Sequence, residues 1–274
     1  MRQKKLRIAD CRLRIRRATI KSAIRNPQSA IAVLALLTLV TRQSLPAQQW
    51  PVHSMDRPRP PVVDPGPERP PVAPPSDAIV LFDGKSLAQW QSEDGTPAKW
   101  VVRDGYFEVA PRTGAIVTKR GFGDIQLHVE WAAPVPATGE GQDRGNSGVF
   151  LMTHYEVQVL DSYHSDTYAD GQAAALYGQT PPLVNATRPP GQWQTYDIIF
   201  HRPRFAADGT VRDSARATVL HNGVLAQDNT AITGWTVHGQ RAHYAPHAER
   251  LPLLLQDHGH PVRYRDIWIR ELKE

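Results

Sequence analysis

From residue 78 onward the chain is cut into short apolar runs by turn signals, and no long stretch repeats at helical spacing. Runs of strand-forming residues occupy 78–82, 99–104, 106–110, 115–119, 125–131, 147–152, 155–160, 193–200, 217–223, 251–256 and 262–272. Between them stand Asp-Gly at 83–84, 94–95 and 104–105, Asn-Gly at 222–223 and GFGD at 121–124. These residues accept the backbone angles of tight reversals, so they mark where strands turn back. Many short strands separated in this way predict an all-β fold, an antiparallel β-sandwich of jelly-roll type or a barrel.

Alternation within the runs adds a direction. In HYEVQVLDS (154–162), Tyr155, Val157 and Val159 share one face, and Glu156 and Gln158 share the other. In 125–131 the apolar set is Ile125, Leu127, Val129 and Trp131, opposite Gln126, His128 and Glu130. Two strands of this kind, apolar on one side and rich in Glu, Gln and His on the other, suit a sheet whose polar face is an open groove. A half-exposed sheet wet on its outside gives the same pattern, and local alternation does not separate the two.

Composition matters chiefly through where it changes. A hydrophobic share of 41% over 274 residues suits a globular core. The net charge of +5 is misleading, because residues 1–47 hold eleven Lys and Arg against the single acid Asp10. Residues 48–274 then hold 21 Lys and Arg against 26 Asp and Glu, so the charge balance makes no case for a nucleic-acid surface on the folded part. Residues 30–40 (AIAVLALLTLV) form an apolar run after the basic stretch, and SLPAQQ beyond it resembles a small-residue cleavage site after Ala47, the shape of a secretory signal. The run is short for a bilayer span, which takes about twenty residues, so no stable membrane insertion is expected after cleavage. The expected location is periplasmic or extracellular. Cys11, the only cysteine, precedes the apolar run, so an exported chain carries no disulfide and no thiol chemistry. Ten prolines between Pro51 and Pro75 predict a disordered, extended linker over 48–76, with the folded domain beginning near Asp77 and running to 274.

The polar residues on these strands suggest work on sugars. Glycoside hydrolysis needs two carboxyl groups about 5–9.5 Å apart, and positions i and i+2 of one strand lie nearly 7 Å apart. Glu156, Gln158 and Asp161 keep the spacing of an E-x-D-x-x-E strand, as in sandwich-fold glucanases, but the middle acid is an amide. Ordinary double displacement is therefore not expected here. Arg144 and Asn146 lead into the 147–152 strand. A second hairpin carries Gln256, Asp257, His258 and His260 at its turn, with Arg263 and Arg265 beyond. Asp257 beside His258 could fix an imidazole tautomer for proton transfer. No HExxH or helical His pair is present, and His238, His243 and His247 read as loop residues, so no metal ligands are expected. Trp90, Trp100, Trp131 and Trp193 read as core, and Trp235 as a surface on which a sugar could stack.

The ordered set VLFDGKSLAQW (80–90), KWVVRDGYFEV (99–109), GAIVTKRGFGDIQLHVEW (114–131), NSGVFL (146–151), YEVQVLDS (155–162), ALYG (175–178), GQWQTYDI (191–198), LHNG (220–223) and LQDHGHPVRYRDIWIREL (255–272) resembles the 3-keto-disaccharide hydrolase domain over 78–272. That resemblance implies a concanavalin-like lectin/glucanase sandwich and cleavage of glycosides already oxidised at C3. A C3 ketone acidifies the hydrogen on C2, so one base can remove it while the C1 group leaves, and water then adds back. The resemblance places Glu156 or His258 as base, Asp161 or Glu130 as acid, and Arg144, Asn146, Gln158 and Arg265 as oxygen-binding groups, with Tyr177 and Asp257 beside the substrate. No cofactor is implied; a calcium ion suits the fold without being specified by the sequence. The expected partner is an oligosaccharide or glycoside. Two other readings stay open, a non-catalytic carbohydrate-binding module and a conventional β-glycanase.

Overall fold

The computed structural model describes residues 50–273; the basic leader and export signal expected over 1–47 lie outside the described residues. In chain order the strands are β1 (Ile79–Phe82), β2 (Trp90–Ser92), β3 (Val101–Arg103), β4 (Tyr106–Glu108), β5 (Ile116–Phe122), β6 (Ile125–Ala132), β7 (Ser147–Leu151) and β8 (Tyr155–Val159). There follow β9 (Gln194–His201), β10 (Arg204–Phe205), β11 (Val211–Asp213), β12 (Arg216–His221), β13 (Val224–Ala231), β14 (Leu251–Leu255) and β15 (Arg263–Glu271). The helical element among the described residues is a single 3-10 turn at Ala169–Gly171. Strands β2, β10, β11 and β13 fall outside the predicted runs. The first three have only two or three residues, and β13 (VLAQDNTA) is mostly polar beyond its start.

The larger sheet runs β13-β12-β9-β6-β15-β4-β3, with β1 also on β15, and the smaller runs β2-β5-β14-β7-β8. Their strand pairs are antiparallel throughout. Between the sheets lies one core. From the larger sheet come Leu127, Val129, Trp131, Tyr196 and Ile198, and from the smaller Val149, Leu151, Tyr155, Val157 and Val159, all at most 1% exposed. This is the predicted antiparallel β-sandwich, and period-two alternation is its cause: each strand presents its apolar set to the other sheet. Trp90, Trp100 and Trp131 are buried as expected. Trp193 is not a core residue; it lies half-buried on the outer face of the larger sheet, under the guanidiniums of Arg263 and Arg265.

The proline-rich segment departs from its expectation. Rather than a free linker, residues 50–69 form a strap on the sandwich. Asn185 N–H donates to Pro61 O and Val63 N–H to Asn185 O, both at 2.9 Å. Arg188, 4% exposed, donates to the carbonyls of Gly66 and Pro67, and Glu68 accepts from Trp193 N–H. Composition counts the apolar area a segment can bury, and here there is little. What holds the strap is its carbonyl groups, which prolines leave extended and accessible, meeting a buried arginine. No helix among the described residues is long and apolar enough to cross a membrane.

Candidate active site

Strands β7 and β8 form a hairpin across Met152 and Thr153, both with left-handed backbone (φ 53° and 58°). The register sets Phe150 opposite Glu156 and Gly148 opposite Gln158. These four residues share the outer face of the smaller sheet, as the alternation in HYEVQVLDS requires. Gly148 is where a side chain cannot stand, since a Cβ there would lie 2.5 Å from Glu156 Oε1 and 2.7 Å from Phe150 Cε2. The outer edge of β8 is covered by the segment after the 3-10 turn, through Gln158 N–H to Ala175 O and Ala174 N–H to Gln158 O, each 3.0 Å. That segment brings Tyr177 to the face carrying Glu156.

A cavity of about 260 Å³ opens on this face, and Asn146, Phe150, Glu156, Gln158, Tyr177 and His258 line it together with Thr236, His238 and Gln256. Glu156 is 5% exposed, and burial pushes its carboxyl up to about 8. No cation among the described residues offsets this. The Gln158 amide lies beside it, 3.0 Å from Oε1, and the orientation of that amide is tied to Gln142. Gln142 Nε2 donates to Gly171 O and Thr167 Oγ1, each 2.9 Å, so its Oε1 must accept, and it does so from Gln158 Nε2 at 2.9 Å. Gln158 Oε1 is then left near Glu156 Oε1, a contact satisfied when Glu156 carries a proton. Turned over, the amide donates to Glu156 Oε1 at 3.0 Å and to Ser147 O at 3.1 Å, which suits an ionised Glu156. That orientation sets the Gln158 oxygen against Gln142 Oε1 at 2.9 Å, so it requires the Gln142 amide to turn as well.

His258 stands at the exposed rim of this cavity. Partial desolvation lowers its pKa, and the His260 imidazole, with ring centroids 6.0 Å apart, adds to the effect, so the ring is neutral near pH 7. Asn146 is held by its Nδ2 on Gln142 O at 2.8 Å, and the Tyr177 hydroxyl bonds that of Tyr168 at 2.7 Å. Of the ten residues singled out in the sequence, the structure thus brings together Glu156, His258, Asn146, Gln158 and Tyr177.

The other five stand elsewhere. Asp161 is 1% exposed and accepts from Arg144 Nε at 2.8 Å and from Tyr163 N–H at 3.1 Å, so this pair fixes the loops at the hairpin's open end. Asp257 does not orient His258; its carboxylate caps the turn, accepting from the N–H groups of Thr113, Gly114 and Gly259. Glu130 and Arg265 pair at 2.6 Å on the outer face of the larger sheet, across the sandwich from Glu156. There Glu130 flanks His128, whose burial opposes its charge, yet Asp197 at 2.7 Å and Glu130 at 3.7 Å outweigh it and hold the imidazole at about 9. Trp235 lies flat on His154 at 3.9 Å rather than facing the cavity.

Sequence reasoning missed Gln142, Phe150 and Thr236, placed Gln256 at the hairpin turn without a role, and read His238 as a loop residue only. Phe150 was available from the alternation of SGVFL, which puts it in register with Gly148. His238 gave no local signal, because a long loop carries it to the cavity. Among the described residues no group of three or more His, Cys, Asp and Glu is placed to hold a metal ion. A larger crevice of about 460 Å³ is bordered by Asp77, Asp124, Arg202, Glu249, Arg250 and Glu271. Its charges neutralise one another in pairs such as Arg202–Glu249 and Arg250–Glu271, which leaves no group poised for chemistry.

The family profile described as a 3-keto-alpha-glucoside-1,2-lyase-like domain matches residues 77–270. The chain belongs to this family. Its similarity to the 3-keto-disaccharide hydrolase of Bacteroides thetaiotaomicron is 23% identity over 163 residues, covering 45% of this chain and 52% of that protein. The chain thus spans about half the length of the curated relative it matches. A crystal structure of a "putative glycosyl hydrolase" from Parabacteroides distasonis superposes with a TM-score of 0.72 at 45% identity, over 82% of this chain and 95% of that one. A second protein so described from the same organism has a TM-score of 0.53 at 19% identity, over 72% and 94%, and shares the fold.

Proposed function

We propose that this chain is an exported enzyme that cleaves 3-keto-glycosides, with His258 taking the C2 proton and Glu156 giving a proton to the departing C1 oxygen. The observation that carries this reading is one cavity holding an unpaired, buried, proton-bearing carboxyl and a neutral imidazole. The rule that environments push a site's acid and base apart in pKa assigns the roles. The C2–H electron pair becomes the enolate of the C3 ketone, the C1–O bond breaks, and the leaving oxygen takes the Glu156 proton. Water adds afterwards across the resulting C1=C2 bond. Asn146, Gln158, Gln256 and the Tyr177 hydroxyl are the polar groups available to the ketone and ring hydroxyls. Export rests on the leader sequence.

Classical double displacement lacks its second carboxylate, because Glu156 is the single acid in the cavity wall. The test supplies a 3-keto-disaccharide and its unoxidised parent and follows sugar release by NMR. Release from the keto form alone, slowed about 10²–10⁴-fold in Glu156→Gln and in His258→Ala, is the expected result. Equal turnover of the parent would establish a conventional glycosidase, and binding without turnover a lectin-like module.

A further inference from the structure

A disaccharide needs room for two rings, and the Glu156 cavity at about 260 Å³ is small beside the roughly 300–1,000 Å³ of most small-molecule sites. A second cavity of about 210 Å³ adjoins it along the same two loops. Tyr177 lines the first cavity and Gly178 the second; Thr236 and His238 line the first, Thr233 and Arg241 the second. The remaining wall comes from the strap, through Trp50, Val52 and Arg57, all ahead of the segment that matches the family. Between the cavities sits the His53 ring, 5.0 Å from Tyr177 and 5.2 Å from His238, stacked on Tyr168 at 4.1 Å.

We propose that this second cavity is the subsite for the leaving sugar, a neutral hexose ring gripped by Trp50, Asp170, Arg57 and Arg241. The proposal rests on the 3-keto-glycoside reading above and adds to it where the other half of the substrate lies. Asp170 is 1% exposed. Its Oδ2 accepts from His53 N–H at 3.2 Å and lies 3.9 Å from Arg57, while its Oδ1 has no partner. A buried carboxylate oxygen without a donor costs free energy until something donates to it; Asp170 borders the cavity, so a ring hydroxyl that reaches this oxygen supplies the missing donor. Arg57 lies against the Asp170 carboxylate and Arg241 is engaged by Trp50 O, so the wall presents hydrogen-bonding groups around an apolar indole, which suits a ligand rich in hydroxyls. Half-buried Trp50 offers the apolar face on which the C–H side of a pyranose rests. Arg241 meanwhile donates to Trp50 O at 3.1 Å and holds that end of the strap in place.

The experiment compares kcat/KM of the full chain on a 3-keto-glucosyl-glucose and on methyl 3-keto-glucoside, whose leaving group is too small to fill the cavity. Trp50→Ala and the isosteric Asp170→Asn are each expected to lower the disaccharide-to-methyl-glycoside ratio about tenfold, a loss of about 1.4 kcal/mol of binding. A ratio equal to that of the unmodified protein, whether both rates fall or neither does, overturns the subsite. Saturation-transfer NMR with glucose itself supplies a readout independent of turnover. Contact that is lost in Trp50→Ala and kept in Glu156→Gln places the hexose in this cavity even if the keto-glycoside chemistry fails. Absence of glucose contact, or contact that survives Trp50→Ala, rules the site out.

Discussion

Glu156 makes folding pay for function, and its sign can be worked out. The carboxyl titrates near 4.3 in an unfolded chain and at about 8 in the folded one. The native state therefore holds the proton more tightly, and as pH rises from about 4.3 to 8 the unfolded state gains relative to the native one. Replacing the carboxyl by an amide removes that slope. Glu156→Gln is expected to match the unmodified protein in Tm near pH 4 and to exceed it increasingly up to pH 8, by free energies on the order of a few kcal/mol. Thermal unfolding across pH measures this, and parallel Tm curves for the two proteins would contradict it. The same ionisation limits activity, because an acid must be protonated to act, so kcat should fall above about pH 8. At the residue level the sequence was informative about Glu156, Gln158 and Asn146, whose types already implied a polar face. It was uninformative about Asp257, because a carboxylate that caps a turn and one that orients a histidine look alike in a string of letters.

The β7–β8 hairpin shows what an element adds to its residues. Gly148 has ordinary backbone angles, so its role is space: the Glu156 carboxyl and the Phe150 ring occupy the volume a methyl would take. Gly148→Ala is expected to push the carboxyl aside and lower kcat at least about 100-fold while moving Tm little, since the far end of a flexible side chain can yield. Turnover within a few-fold of the unmodified protein would show that the position of Glu156 is not critical. Period-two alternation made both β6 and β8 readable from sequence, with the correct inner and outer sets. What alternation does not carry is which sheet a strand joins. β6 lies in the larger sheet and β8 in the smaller, so their outer faces look away from one another, and the expected meeting of Glu130 with Glu156 does not occur. Sheet membership depends on pairings between residues far apart in the chain, such as β6 with β15 and β7 with β14, and these leave no local trace.

Over the whole molecule, the strap joins parts that the sequence kept separate. It passes from the cavity near Asp170, along a parallel bridge between Val62 and Asn185, to Arg188 and Trp193 on the other side. Arg188 is its main fastening, with further bonds to Trp193 O and Asn222 Oδ1. Arg188→Ala is expected to cost about 3 kcal/mol or more and to speed hydrogen exchange at the Val63 amide, which mass spectrometry of the strap peptide would detect. Unchanged protection at Val63 would mean that the strap is held by other contacts. A practical consequence concerns where the gene is cut. A fragment cloned from Asp77, where the recognisable family begins, would leave the guanidinium of Arg188 without two of its acceptors and would remove Trp50, His53 and Arg57 together. Such a fragment could be assayed with an intact Glu156, judged inactive on disaccharides, and discarded for want of twenty-seven residues that look like filler.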